Sequence, residues 1–465
     1  MRTPPDAPLF PIVDGKYKMD REPKVRIGVV LEEDAKASVE FQVRANGFTL
    51  VADGRRAPLA AGAALTATAG PGAVVIRDAQ GGEVARGAVV RVEPPAAGEP
   101  VGIGEGTLVR GIVAGRVFHW RKLIDQTLTG ALEFLPRGAH LIMVNELPME
   151  EYLTGVITGE MSGDCPIEYM KAQAVAARSW LLGQPRSPHP GEPFHWCNDD
   201  HCQRYQGTGG WSQRAIDAIA ACRGEVLITA SGRYCDARYS KNTGGISEDG
   251  DFIWGEKIEG LKSRPDVPES EDLGRFARLD ESNIREYLLG DWLQSTRAWG
   301  SPNVVSSAEV MPYLGRVDEA GDYFRWTWNL HQEALVASLR RFPEFADAAE
   351  VIHLVPGPRG KGGRQLWLTV EFLDNKGARR TQRIERDYNI RARLDPRFLF
   401  SSCFVVDRVL TPKGAVAEFT LHGGGWGHGA GLCQMGGLAR ALHGQNHATI
   451  LLHYYSDVRL ERIYD

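Results

Sequence analysis

From Lys24 to about Pro94 the chain alternates apolar and polar positions in short runs, VRIGVVLE, VEFQV, FTLVAD and AVVIRD, separated by Gly, Pro and Asp. A period of two with that punctuation predicts a β-rich module over 24–100. The stretch PPAAGEPVGIGEG, Pro94 to Gly106, breaks the pattern and predicts a linker or an exposed crossing between modules. Strand-like runs then return (LVRGIVAGRVFHW, ALEFL, HLIMVNELP) before the period changes. Ile167, Met170, Ala174, Ala177 and Leu181 recur at helical spacing, with Pro166 ahead and Gly183 behind. This predicts a helix from Pro166 to Leu182, after a shorter one from Met149 to Gly159. Lys171 and Arg178 are two turns apart and are expected on one side of the longer helix, where both could face one ligand.

Helix-like SQRAIDAIAACRG leads into strand-like EVLITASG and RYCDARYS, and residues 262–400 mix helical signals (DESNIREYLLGDWLQS, LHQEALVASLRRF) with strands (QLWLTVEFLD, RRTQRIER). AEFTLHGGGWGHGAGLCQMGGLARALHG reads as strand, glycine-rich loop and helix. The expectation is an α+β protein with an extension at 1–23, a β-rich module at 24–100 and a larger domain at 107–465.

A chain of 465 residues, 43% hydrophobic and 24% charged, can bury a large core. Its net charge of −5 offers no bulk attraction for nucleic acid or an anionic membrane, so recognition of any polymer must be local. No apolar run reaches membrane-spanning length, and the first 24 residues lack the charged start and apolar core of a secretory signal. Seven cysteines argue against a dense disulfide framework, and only Cys197 and Cys202 are close together.

Three chemistries stand out. HPGEPFHWCNDDHCQRY holds three histidines and two cysteines, a set that could clamp a metal, though a disulfide between Cys197 and Cys202 fits as well. Glu160 lies between an apolar helix and a Gly-Asp turn. A glutamate lifted by burial toward roughly pH 6 to 7 can deliver a proton. In GGGWGHGAGLCQMG the glycines permit close backbone approach, and Trp426 offers a flat aromatic face. The run lacks the lysine-hydroxyl ending of a phosphate loop.

Residues 145–180, NELPMEEYLTGVITGEMSGDCPIEYMKAQAVAARSW, resemble the hallmark of the stage II sporulation protein D / LytB family. HCQRYQG (201–207), YSKNTGG (239–245) and GGGWGHGAGLCQMGG (423–437) agree with it in order. The resemblance implies a peptidoglycan lytic transglycosylase that cuts the MurNAc-GlcNAc bond and leaves 1,6-anhydro-muramyl ends, with Glu160 as the single acid/base. A second carboxylate is then not required, and Glu150 and Glu151 are expected on the solvated side of their helix. Asp164 is the next acid to consider.

The resemblance further implies substrate contacts at Lys171, Gln173, Arg178, Tyr205, Ser240, Gly244, Trp426, His428 and Gln434. It also implies a structural zinc on His189, Cys197 and Cys202, with water, His195 or His201 in fourth place. Cys433 stands where the family usually has Ser and is expected to pack. Lys241 and Asn242 depart from the family's small residues. The implied location is extracytoplasmic, in the periplasm or cell wall. A non-catalytic LytB-type role is the alternative, in which the chain binds glycan and enhances a cell-wall amidase. An amidase or peptidase using the Cys/His segment is a further rival.

Overall fold

A computed structural model of the chain describes residue 19 and residues 21–95, 102–116, 118, 121–184, 186–271, 273–315 and 323–465. Most of the expected extension and the middle of the expected linker lie outside the described residues. The chain forms two units, one of residues 1–226, 312–317 and 461–465, the other of residues 227–311 and 318–460. Both mix strands with helices, so the α+β expectation holds.

In the first unit the strands are β1 (Lys24–Val30), β2 (Ser38–Val43), β3 (Phe48–Ala52), β4 (Arg55–Leu59), β5 (Ala64–Gly70), β6 (Ala73–Asp78), β7 (Glu83–Gly87), β8 (Val90–Glu93), β9 (Thr107–Ala114), β10 (Lys122–Leu128), β11 (Ala131–Arg137), β12 (His140–Pro148) and β13 (Trp196–Cys197). They build two sheets, in the orders β13-β1-β12-β11-β8-β3-β4 and β10-β9-β2-β5-β6-β7. On β2 the alternation seen in sequence turns Val39, Phe41 and Val43 inward, and Phe41 stacks on Phe134 of β11 with ring centroids 5.1 Å apart.

The expected separation at residue 100 is not what the strands follow. β1 pairs with β12 from Lys24 opposite Pro148, β8 pairs with β11, and β2 pairs with β9. Pro, Gly and Ala mark a crossing, but a strand's open N–H and C=O groups are satisfied by whichever strand lies beside it, however distant in sequence.

Helix α1 (Met149–Glu160) leaves β12 directly and buries every residue except Glu151. It packs against α2 (Ile167–Gly183) and α3 (Gln213–Ala221), the latter capped by Ser212, whose side chain accepts the N–H of Ala215. The second unit holds two three-stranded antiparallel sheets. One is centred on Val416–Gly424, flanked by Arg325–His331 and Phe404–Leu410; the other is centred on Trp367–Asp374. Leu330, Leu335, Phe345, Val370, Phe372, Phe419 and Leu421 share its core. A short parallel pair, Tyr239–Ser240 with Leu432–Cys433, joins two of the sequence motifs.

Candidate active site and metal cluster

Glu160 is the last residue of α1 and is 8% exposed. Two glycines of α1 let the segment after the cysteines lie against the helix. A Cβ at Gly155 would stand 2.5 Å from Tyr205, and one at Gly159 would stand 2.7 Å from the Arg204 carbonyl oxygen. That approach brings the Arg204 N–H to Glu160 Oε1 at 3.1 Å. The Arg204 guanidinium is turned to Asp200, donating from Nε and Nη2 at 3.0 and 3.1 Å. Burial pushes the Asp200 carboxyl up to about 6 against the pull of Arg204, and the charge of Glu160 adds to the push. Glu160 thus has a second carboxylate in its field. Asp164, by contrast, is exposed and bonded to Ser162.

The cysteine segment closes into a cluster. The ligand atoms of His189, Cys197, His201 and Cys202 all lie within 4.8 Å of one another. His189 Nε2 is 3.3 Å from Cys202 Sγ, and His201 Nδ1 is 3.6 Å from the same sulfur. A tetrahedral zinc with bonds of about 2.0 to 2.3 Å places its ligand atoms at comparable separations, so the donor set fits that ion. Cys197 and Cys202 are both free thiols. Hydrogen bonds from Cys202 and then from His189 and His201 hold Cys197 well below the usual thiol range, the state a metal ligand needs. Of the candidates for fourth place, His201 joins the set and His195 does not. Asp199 anchors the loop by accepting the N–H groups of Gly115 and Arg116 at 3.0 and 2.7 Å.

In the second unit, Ala430 N–H donates to His428 Nδ1 at 3.1 Å, so the ring proton sits on Nε2. The ring meets Trp254 edge-on, and Arg238 lies over Trp254 at 3.9 Å. Burial, then the charges of Arg238 and Arg364, push His428 down to about 3, leaving a neutral hydrogen-bond donor. Gly244 sits in a turn at φ +83° that Asn242 closes by accepting its N–H at 2.8 Å. Ser240 and Gln434 are buried beside the loop, and the Cys433 thiol caps the following helix by accepting from Gly436 N–H at 3.2 Å.

Residues 137–228 match the model of the stage II sporulation protein family, and residues 303–431 match a domain of unknown function. The chain is 24% identical over 310 residues to the amidase enhancer of Bacillus subtilis, and 28% identical over 134 residues to stage II sporulation protein D of the same organism. Residues 137–228 are therefore similar to the stage II sporulation protein family. It is also 26% identical over 336 residues to an uncharacterized protein of Brachyspira hyodysenteriae. The matches span 71% of the Brachyspira protein but only 40% of the amidase enhancer and 39% of the sporulation protein. They cover 71%, 66% and 26% of this chain, respectively. The family is related to the cell wall, and among the described residues no helix is long and apolar enough to cross a membrane.

Several of the expected site residues have partners within the protein. Arg178 is fully buried and paired with Glu150, Nε to Oε1 at 3.1 Å, while its Nη1 donates to the Glu225 carbonyl. Glu150 is therefore an interior strut and not solvated. Burial pushes it up, but Arg178, Tyr464 and the Gly224 N–H outweigh that and hold it below the usual range. Glu151 is half-buried, and burial raises it. Lys171 pairs with Glu168 at 2.8 Å. Gln173 is buried and accepts from Tyr169, and Tyr205 is buried with its hydroxyl on Asn145 at 2.9 Å.

Trp426 stacks on Tyr323 with centroids 5.0 Å apart and meets Phe400 at a tilt with centroids 4.6 Å apart. Arg204 and Asp200 were missed. Their spacing of four residues was visible, but their approach to Glu160 was not.

Proposed function

We propose that the protein is a lytic transglycosylase of peptidoglycan glycan strands, with Glu160 as acid and then base. The observation that carries this reading is a buried carboxylate at the end of α1, held by the Arg204 N–H, in the domain the family match covers. The Glu160 proton passes to the glycosidic oxygen as the bond to the muramyl C1 breaks. The muramyl C6 hydroxyl attacks C1, and its proton returns to Glu160, so the product is a 1,6-anhydro ring and no water is consumed. Within the second unit His428 offers a hydrogen bond to a glycan strand, and Ser240, Gly244 and Gln434 shape its loop. Zinc on His189, Cys197, His201 and Cys202 braces the segment that ends at Arg204. The site of action is outside the cytoplasm.

The test is mass spectrometry of purified glycan strands after incubation with the protein and with Glu160→Gln. Anhydro-muramyl ends from the native chain, reduced about 10²- to 10⁴-fold in the variant while strand binding persists, are expected. Reducing ends would indicate hydrolysis, and native rates in Glu160→Gln would move the acid elsewhere, first to Asp200. A second reading is favoured by the likeness to an amidase enhancer: a glycan-binding chain that stimulates a cell-wall amidase. Its signature is no cleavage by the chain alone together with faster release of stem peptides by the amidase.

A further inference from the structure

The glycines of the 423–431 loop make room for a side chain of the protein itself. A Cβ at Gly429 (φ +73°) would stand 2.1 Å from the Arg364 guanidinium carbon, and one at Gly425 (φ +75°) would stand 3.0 Å from Arg364 Nη2. Arg364 is 0% exposed. Its Nε and Nη2 both donate to the Gly427 carbonyl, at 3.1 and 2.9 Å, and its Nη1 donates to the Thr243 carbonyl at 3.2 Å. The Arg364 N–H donates to Glu248 Oε1 at 2.8 Å, and the Glu248 N–H donates to the Gly429 carbonyl at 2.8 Å. The residues on either side of His428 are therefore both tied to this buried pair, and Thr243, in the turn before Gly244, is tied to it as well.

We propose that Arg364, backed by Glu248, is a positioning residue that fixes the loop so that the His428 Nε2–H points at a bound sugar. The part of this that concerns the ligand rests on the glycan-cleaving reading above. Only a planar fork can place two donors on one carbonyl and a third on another; a lysine in the same space is a single point charge. The charge of Arg364 also helps to keep His428 neutral, consistent with a donor that does not shuttle protons. Arg364 touches no substrate and acts through residues 427 to 429.

The experiment is nitrogen NMR of the full chain with labelled histidine, on native protein and on Arg364→Lys, alongside glycan-strand binding. In the native chain His428 is expected as the single Nε2–H form, without titration between about pH 5 and 8. In folded Arg364→Lys a second tautomer is expected, with about tenfold weaker strand binding. Unchanged ring signals in that variant overturn the proposal, since a residue that only stabilises the fold shifts the melting temperature and leaves the tautomer alone. Should Arg364→Lys not fold, Glu248→Ala keeps the guanidinium bonds and is expected to move the same signals less far; ring signals identical to native there overturn it equally. Native protein that neither binds nor cuts glycan refutes the functional reading, and the ring signals still decide Arg364.

Discussion

The helix that ends at Glu160 and the loop that carries His428 spend their charged groups differently. In the first unit an interior ion pair, Arg178 with Glu150, lies at the far end of α1 from Glu160 and bonds Tyr464 as well. Glu160 itself takes a backbone N–H. In the second unit the Arg364 guanidinium lies against the loop that carries His428, and it bonds backbone carbonyls. A helix supplies its own backbone partners, so its buried arginine can be committed to a carboxylate. An irregular glycine loop has carbonyls without partners, and a buried arginine satisfies them. The same residue type thus stabilises a regular element in one place and creates an irregular one in the other.

Removing the metal should break the first unit hardest. The purified protein is expected to carry about one zinc, and chelation or Cys197→Ser should lower the melting temperature and yield more than it lowers the intrinsic chemistry. Structural zinc contributes on the order of 10 kcal/mol in small zinc peptides, so even part of that is large. Elemental analysis without zinc would remove this expectation. Next comes the buried pair. Arg178→Met strands the Glu150 charge and should cost about 3–5 kcal/mol in urea unfolding, whereas Arg178→Met with Glu150→Gln should recover much of it. An Arg178→Met protein with native stability and lost glycan binding would return Arg178 to the substrate.

Gly159→Ala should cost about 1–3 kcal/mol, because the new methyl meets the Arg204 carbonyl at 2.7 Å, and it should slow glycan cleavage by displacing the N–H on Glu160. Unchanged turnover would show that this bond does not orient the acid. The loop's contribution is read through pH. His428 has its folded value pushed down from 6.5 to about 3, so the unfolded chain takes up a proton first, and the stability it contributes is present above about 6.5 and lost as pH falls toward 3. His428→Gln should flatten that acid slope in urea midpoints between pH 6.5 and 4. Smallest of all is Cys433→Ser, which keeps a cap on Gly436 N–H and should change stability by less than about 1 kcal/mol.

Much of the local structure was legible. Helices α1 and α2 fall within a residue or so of the expected spans, because apolar residues at helical spacing and Pro166 before the first turn leave few alternatives. The joining of Cys197 and Cys202 with His189 was readable too, since short spacing limits how far apart the groups can lie. His201 could be named only as one of several fourth partners. Polarity alone did not show which of the motif residues are interior. Arg178, Glu150, Gln173 and Tyr205 are polar residues in motif segments, and polar residues usually mark a surface or a site, but here each has its partner inside.

The glycine run shows where sequence stops. That the chain needs close backbone approach at 425 and 429 follows from the residue type alone, since glycine carries no Cβ and tolerates positive φ. Whether the approaching group is a sugar or a guanidinium does not follow, because Arg364 is about sixty residues away and its arrival depends on the packing of the second unit's strands. Likewise the elements, the likeness to stage II sporulation proteins and the presence of a glutamate after an apolar helix at position 160 are properties of local pattern. The pairing of β1 with β12 and the meeting of Arg204 with Glu160 came from tertiary structure, where buried donors take whichever acceptors the fold brings within about 3 Å.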